Sequence, residues 1–296
     1  MDRFHELNAF ISVAEAGGFS AAARRGGETQ PAISKAVAAL EKRLGVALFN
    51  RSTRSVTLTD QGQRFYDRAK PLVEEMDEAE TELTNSSAVI SGTVRISVAA
   101  TFGRLHVLPL IPELLSLYPD LHIDLILSDF VRDMVEDRVD LAIRLGRVEE
   151  LDAVAKFVVE TPLVCVGSRR YFERHGTPKI PTDLLDHNCL VYSGLHEAAN
   201  WPFIGPDGPF SVAVRGSLSS NSVETIRMGV LAGVGIGFFT KVSLASELVQ
   251  SDVITVLDDF VQGVRDISLV WPKRRFVPER VRRVTDFFAK VIPKRL

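Results

Sequence analysis

Phe19-Ser20-Ala21-Ala22-Ala23, followed by Thr29-Gln30-Pro31-Ala32-Ile33-Ser34-Lys35, predicts two short helices joined by a tight turn. No other stretch restricts the fold as strongly. Upstream, Leu7, Phe10, Ile11 and Ala14 fall at i, i+3, i+4 and i+7, one apolar helix face that Gly17-Gly18 ends. Ser20 is the expected N-cap of the second helix, with Phe19 before it as a hydrophobic staple. Thr29 caps the third, and Pro31 is tolerated because it lies in the first turn. Ile33, Val37, Leu40 and Leu44 form the buried face of that helix, Ser34, Lys35 and Ala38 project elsewhere, and Gly45 stops it.

Val46-Ala47-Leu48-Phe49 and Ser55-Val56-Thr57-Leu58 read as two short strands around a polar, basic turn, residues 50–54. Three helices and a β-hairpin wing over residues 1–60 make a winged helix-turn-helix. The start of its third helix carries the small and polar residues that a helix lying in a DNA major groove needs. Thr59-Asp60-Gln61-Gly62 then begins a long helix within a linker of residues 61–90. Phe65, Ala69, Leu72, Met76, Ala79 and Leu83 alternate spacings of four and three along it, an a/d seam. That seam either packs on its own domain or joins two chains. A fully acidic opposite face and the lack of an adjacent apolar partner favour the dimer. Pro71 is placed to kink the helix. Asn85-Ser86-Ser87 and Ser91-Gly92 mark a hinge.

The net charge of −3 argues against a nucleic-acid partner only as an average. Residues 1–70 hold 11 Lys and Arg against 7 Asp and Glu, a net of +4, whereas residues 71–90 hold 6 acids and no base. Phosphate attraction depends on local charge, so the basic head is the candidate contact. At 296 residues, 46% hydrophobic and 25% charged, the chain predicts an ordinary globular protein of two or three domains. No apolar run approaches the ~18 residues of a membrane span. The first residues lack the plan of a secretion signal, so the cytoplasm is the expected compartment. Cys165 and Cys189 sit in apolar surroundings and read as buried reduced thiols, with a redox pair as the alternative.

From residue 91 to 296 strands alternate with helices, which implies parallel α/β units. Strands are expected at residues 93–99, 123–128 and 141–144, and helices at 105–118 and 129–138. The pattern restarts near Leu163 and ends with a return strand at 267–271 and a helix at 279–291. This predicts a hinged α/β module of two lobes, residues 91–161 with 267–296 and residues 162–266. Ligands of open α/β lobes bind at strand carboxyl ends and helix starts. Those ends are Ala100-Thr101-Phe102, Ser128-Asp129, Leu145-Gly146, Asn221-Ser222 and Gly237-Phe238. Thr101 and Ser128 are hydrogen-bond candidates, and Phe102 and Phe238 an apolar wall. Helix starts would suit a carboxylate, which Asp129 would oppose. Ordinary caps and turns account for the same residues without a ligand. Gly233-Val234-Gly235-Ile236-Gly237 lies after a helix and before a strand, the wrong order for a nucleotide loop. The histidines show no metal spacing, and no catalytic motif stands out, so neither a cofactor nor a metal is expected.

Phe10, Ala14, Gly18-Phe19-Ser20, Ala21-Ala22, Gln30-Pro31-Ala32-Ile33-Ser34, Leu40-Glu41, Leu44-Gly45, Leu48-Phe49, Arg51, Arg54, Leu58-Thr59 and Gly62 together resemble the head of the LysR-type transcriptional regulators. With the wing, long helix and two lobes in order, the resemblance covers the whole chain. It implies a periplasmic-binding-protein-like effector domain whose inter-lobe cleft takes a small molecule and modulates binding to double-stranded promoter DNA. It implies a homodimer through the long helix and a homotetramer, with no membrane partner. The third helix then enters the major groove. Gln30 can offer a two-point hydrogen bond to adenine, Pro31 or Ala32 can touch a thymine methyl, and Ser34 and Lys35 can reach bases or phosphate, with Thr29 at the helix entrance. Arg54 suits the minor groove or the backbone, and Arg51 phosphate or the wing itself. The chain departs from the family at Gly26-Gly27-Glu28, where an apolar residue, a glycine and another apolar residue are usual. A less stable turn, or a Glu28 swung out to solvent, is expected. An enzyme or a plain solute-binding protein using the cleft is the alternative reading.

Overall fold

Asp2 accepts a hydrogen bond from the Phe4 N–H at 3.1 Å and caps the first helix, α1, Arg3–Ala16. Gly17 ends it at φ +67°, the left-handed region that glycine enters without a Cβ penalty. The computed structural model describes residues 2–51, 56–84, 90–130, 134, 137–148, 152–194, 199–250, 253–273 and 277–296. Its contacts form two units, residues 1–88 and 89–296.

In the first unit, α2 is Phe19–Gly26 and α3 is Gln30–Leu44. The extended backbone of Gly18 lets α2 begin at Phe19, so Ser20 lies inside the first turn and is not the cap. Its hydroxyl donates instead to Gln30 Oε1 at 2.9 Å. Phe19 packs inward, its ring 5.8 Å from that of Phe49. The wing strands are β1, Phe49–Arg51, and β2, Val56–Leu58, antiparallel with Phe49 opposite Leu58. β1 starts later than the sequence pattern predicts. The Glu41 carboxylate accepts from the Leu48 and Phe49 N–H groups at 2.8 and 3.3 Å, holding the incoming chain against α3.

The long helix α4, Asp60–Thr84, starts at a tight junction. Thr59 Oγ1 donates to the Ala47 carbonyl at 2.8 Å and accepts from the Gly62 N–H at 2.9 Å. The Thr59 N–H donates to the Leu48 carbonyl at 2.9 Å. A Cβ on Gly62 would stand 2.0 Å from that same Leu48 oxygen, so only glycine fits. Phe10, Val13, Ala22, Ile33, Val37, Leu40, Leu48 and Phe49 form the core beneath these elements. Glu6, buried on α1, accepts from Arg43 at 2.9 Å and ties α1 to the end of α3.

The second unit opens with β3, Ser91–Val98; Ser91 and Gly92 thus begin a strand, and residues 85–87 of the expected hinge lie outside the described residues. Residues 100–117 form one helical run, from α5, Ala100–Phe102, to α6, Ile111–Leu117. Between them it widens to a π turn and tightens to a 3-10 turn. Pro109 and Pro112 lack the N–H that a regular ladder needs. Next come β4, Asp120–Leu127, and β5, Leu141–Leu145. Of the helix expected at 129–138, residues 129, 130, 134, 137 and 138 are bend or turn, and the rest lie outside the described residues.

Then follow β6, Ala153–Ser168; α7, Arg169–His175; β7, Val191–Tyr192; β8, Asn200–Gly205; β9, Gly208–Ala213; and β10, Ser219–Ser220. The chain continues through α8, Val223–Leu231; β11, Ile236–Thr240; α9, Ala245–Val249; β12, Val253–Val256; β13, Val264–Pro272; and α10, Glu279–Arg295. The main sheet has the order β11-β6-β13-β5-β3-β4, with β12 also on β6. β3 is parallel to β4 and β5, as the alternation implied. The second lobe is not a parallel repeat of the first: β11 and β12 both run antiparallel to β6. β6 belongs to both lobes. Up to Pro162 it pairs with β13, and from Leu163 with β11; Pro162 has no N–H to continue the ladder. Val94, Ile96, Val98, Ile143, Leu269 and Phe288 fill the first lobe, and Val242 of the second lobe inserts among them. Tyr171, Trp201 and Phe203 lie in one core of the second lobe, Val230 and Phe239 in another.

Candidate functional site

On α3, Ile33, Ala36, Val37 and Leu40 are buried, so the opposite face is set by helical spacing. Gln30, Pro31 and Lys35 are exposed there, Ala32 and Ser34 are half-buried, and Thr29 is exposed at the entrance. Positions 30, 31, 34 and 35 are neighbours on one surface. Ser20 occupies one lone pair of Gln30 Oε1; the second lone pair and both amide hydrogens remain for a base edge. Arg51 lies on β1, with its side chain outside the description, and Arg54 lies outside the described residues. Arg24, one turn after Ser20, and Arg25 close α2 as exposed cations. Sequence reasoning did not single them out, although two arginines closing the helix before α3 are a readable sign of local positive charge.

At the divergent turn, a Cβ built on Gly26 meets nothing within 4 Å, and Gly27 caps α2 at φ +67°. Glu28 is exposed, its carboxylate 3.7 Å from His5 Nε2. The cost at Gly26 is helix propensity, about 1 kcal/mol. The burial of Phe10, Leu40 and Leu48, roughly 1.5–3 kcal/mol each, outweighs it.

The α4 seam divides between two surroundings. Phe65 packs 5.5 Å from Phe10 in the head core, and Ala69 is buried. Tyr66 donates to Glu15 at 3.2 Å, and Lys70 pairs with the same carboxylate. Leu72 and Met76 remain 64% and 48% exposed. The side chains of Ala79 and Leu83 lie outside the description, though α4 runs through both positions.

In the second unit Asp129 is the centre of the predicted loop cluster. Its Oδ1 accepts from the Ala100 N–H and its Oδ2 from the Val223 N–H, both at 3.0 Å. Its carbonyl accepts from the Tyr192 hydroxyl at 3.2 Å. Burial, and then the Asp129 charge, push that hydroxyl above its ordinary pKa and keep it a donor. Thr101, buried, donates to Glu224 at 3.3 Å, and Arg104 donates to Glu224 at 2.8 Å. Ser222 caps α8 through Thr225. Ser128 is half-buried, its N–H bonded to the Val98 carbonyl at 3.0 Å.

Other predicted residues lie apart from this group. Phe102 is buried in the first-lobe core, against His106, and is not a cleft wall. Phe238 packs on Trp201 and Phe203 at 5.4 and 5.9 Å. Gly146, at φ +100°, bonds the Asp266 carbonyl at the end of β5, and Asn221 is exposed in a bend. Glu224, Arg104 and Tyr192 were not foreseen. Their partners across the lobes lie 63 to 123 residues away in the chain, beyond any local pattern. A surface hollow lined by Asp140, Trp271 and Pro278 lies at the opposite end of the first-lobe sheet.

Both cysteines are buried. Burial pushes the Cys165 thiol well above its usual range and the Cys189 thiol up to about 12, which disfavours the thiolate that a redox pair needs. Among the described residues no helix is long and apolar enough to cross a membrane.

The family profile described as bacterial regulatory helix-turn-helix protein, lysR family, matches residues 4–63, and that of the LysR substrate binding domain matches residues 87–293. A putative transcriptional regulator of Pseudomonas aeruginosa is 34% identical over 92% of this chain and 90% of its own length. The HTH-type transcriptional regulator DmlR of Escherichia coli is 30% identical over 96% of this chain and 92% of its own. The structure of CrgA, a LysR-type transcriptional regulator from Neisseria meningitidis, superposes with a TM-score of 0.65 at 26% identity, covering 97% of this chain and 98% of that one.

Proposed function

The chain belongs to the LysR family of DNA-binding transcriptional regulators, and from that premise we propose which of its residues read DNA, which join two copies and where an effector acts. Thr29, Gln30, Pro31, Ala32, Ser34 and Lys35 read the major groove, with Arg51 and Arg54 holding the backbone or minor groove from the wing. The observation that carries this is the single exposed face of α3, opposite a face fully committed to the core. Leu72 and Met76 join two copies through α4, and two dimers assemble as a tetramer. A small-molecule effector acts in the cleft between the lobes, around Ala100, Thr101, Ser128, Asp129 and Ser222, and the chain regulates without turning over a substrate. Supporting that choice, the relatives named above are regulators, and the polar groups of the cleft are engaged with one another.

The test of the reading face is Lys35→Ala. Specific binding weakens by ~1–3 kcal/mol if Lys35 reads a base edge, while binding to unrelated DNA changes little. Equal affinity of variant and parent for the specific site removes Lys35 from the reading face.

A further inference from the structure

We propose that Asp129 is an internal latch holding the two lobes of the effector unit together, an inference that rests on the inter-lobe cleft being the effector site. Asp129 follows β4 in the first lobe. Its two carboxylate oxygens take one N–H from each lobe, Ala100 and Val223, both at 3.0 Å. Its carbonyl takes a third donor, Tyr192 of the second lobe, at 3.2 Å. One residue therefore bridges both sides with a charge-assisted bond on each, and such bonds exceed ordinary amide bonds in strength.

A second acid extends the latch. Glu224 of the second lobe accepts from Thr101 at 3.3 Å and from Arg104 at 2.8 Å, both on the first lobe. It is held in place by Arg227, which is buried, donates to Glu224 at 3.0 Å and also pairs with Glu247. His106 adds a contact of 2.7 Å from the first lobe to the Val242 carbonyl. These links are polar, so water can replace them when the lobes part, whereas Val242, buried among first-lobe side chains, adds an apolar contact between the lobes. The two N–H groups that an anionic group would seek are already filled by an anion of the chain itself.

The experiment is amide hydrogen exchange on the full chain, comparing the parent with Asp129→Ala and Asp129→Asn. The amides of Ala100 and Val223 both exchange at least about tenfold faster in Asp129→Ala, the loss expected for a charge-assisted bond, and at least one of them does so in Asp129→Asn, which keeps a single acceptor oxygen. The Ile96 amide, inside the first-lobe sheet, keeps its parental rate. Sodium formate, standing in for the excised carboxylate, restores slow exchange at both positions in Asp129→Ala, and sodium chloride at equal ionic strength does not. Parental protection of Ala100 and Val223 in a folded Asp129→Ala protein overturns the latch. If Asp129→Ala exposes Ile96 as well, Arg104→Gln, which cuts a half-exposed arm, decides. Faster exchange at Ala100 and Val223 with Ile96 protected supports the latch, and unchanged exchange refutes it. Variants that loosen both amides yet bind operator DNA as the parent does keep the latch and count against the effector reading.

Discussion

Gly62 and Gly26 are both helical glycines, and their surroundings make opposite demands. A methyl at Gly62 would collide with the Leu48 carbonyl, part of the backbone, which cannot swing aside. Gly62→Ala should therefore destabilise the head by about 1–3 kcal/mol, the usual cost of overpacking. A methyl at Gly26 meets open space, so Gly26→Ala should stabilise it by about 0.5–1 kcal/mol. Native-state exchange of head amides in the full chain measures both, and shifts of the same sign would refute the packing described at one of the two sites. The family pattern marked Gly62 as a glycine and Gly26 as a departure. It could not separate the two demands, because the Leu48 carbonyl is brought to Gly62 only by the Thr59 junction. Ser20 shows the same limit: its identity suits a cap, but Gly18 takes that place and frees the hydroxyl for Gln30.

At the scale of elements, α4 was legible as a helix with an a/d period, and the choice between its two readings was not. Phe10 and Glu15, which hold its first half, lie about 50 residues earlier in the chain. The period therefore divides along the helix, packing the head through Phe65 and leaving Leu72 and Met76 outward. Replacing both outward residues by Glu should raise the dimer dissociation constant by roughly 100-fold or more, at ~1.5–3 kcal/mol for each apolar side chain buried. Sedimentation velocity measures it, with head-amide exchange unchanged because neither side chain enters the head core. A parental sedimentation profile in the double variant would remove these residues from the dimer seam. The effector unit divides in the same way. The positions of β3, β4 and β5 and their parallel pairing follow from alternation. The antiparallel pairing of β11 and β12 with β6 does not, since β6 changes partners at Pro162 and meets β11 only after a long excursion.

At the scale of the molecule, the exposed face of α3 was legible because it lies on one continuous helix, whose buried side fixes its exposed side. The cleft was legible only as a set of strand ends. Which of those ends meet depends on how two lobes close, and that brought Asp129, Glu224 and Tyr192 together while sending Phe102 and Phe238 into separate cores. The central claim is that the exposed face of α3 carries sequence-specific DNA binding, doubled by dimerisation. It is tested most directly by footprinting the full chain on the intergenic DNA upstream of its own gene. The expected result is protection of two half-sites about one helical turn, or a whole number of turns, apart, lost with Lys35→Ala at the same protein concentration. No protected region, or protection that Lys35→Ala leaves intact, would contradict the account.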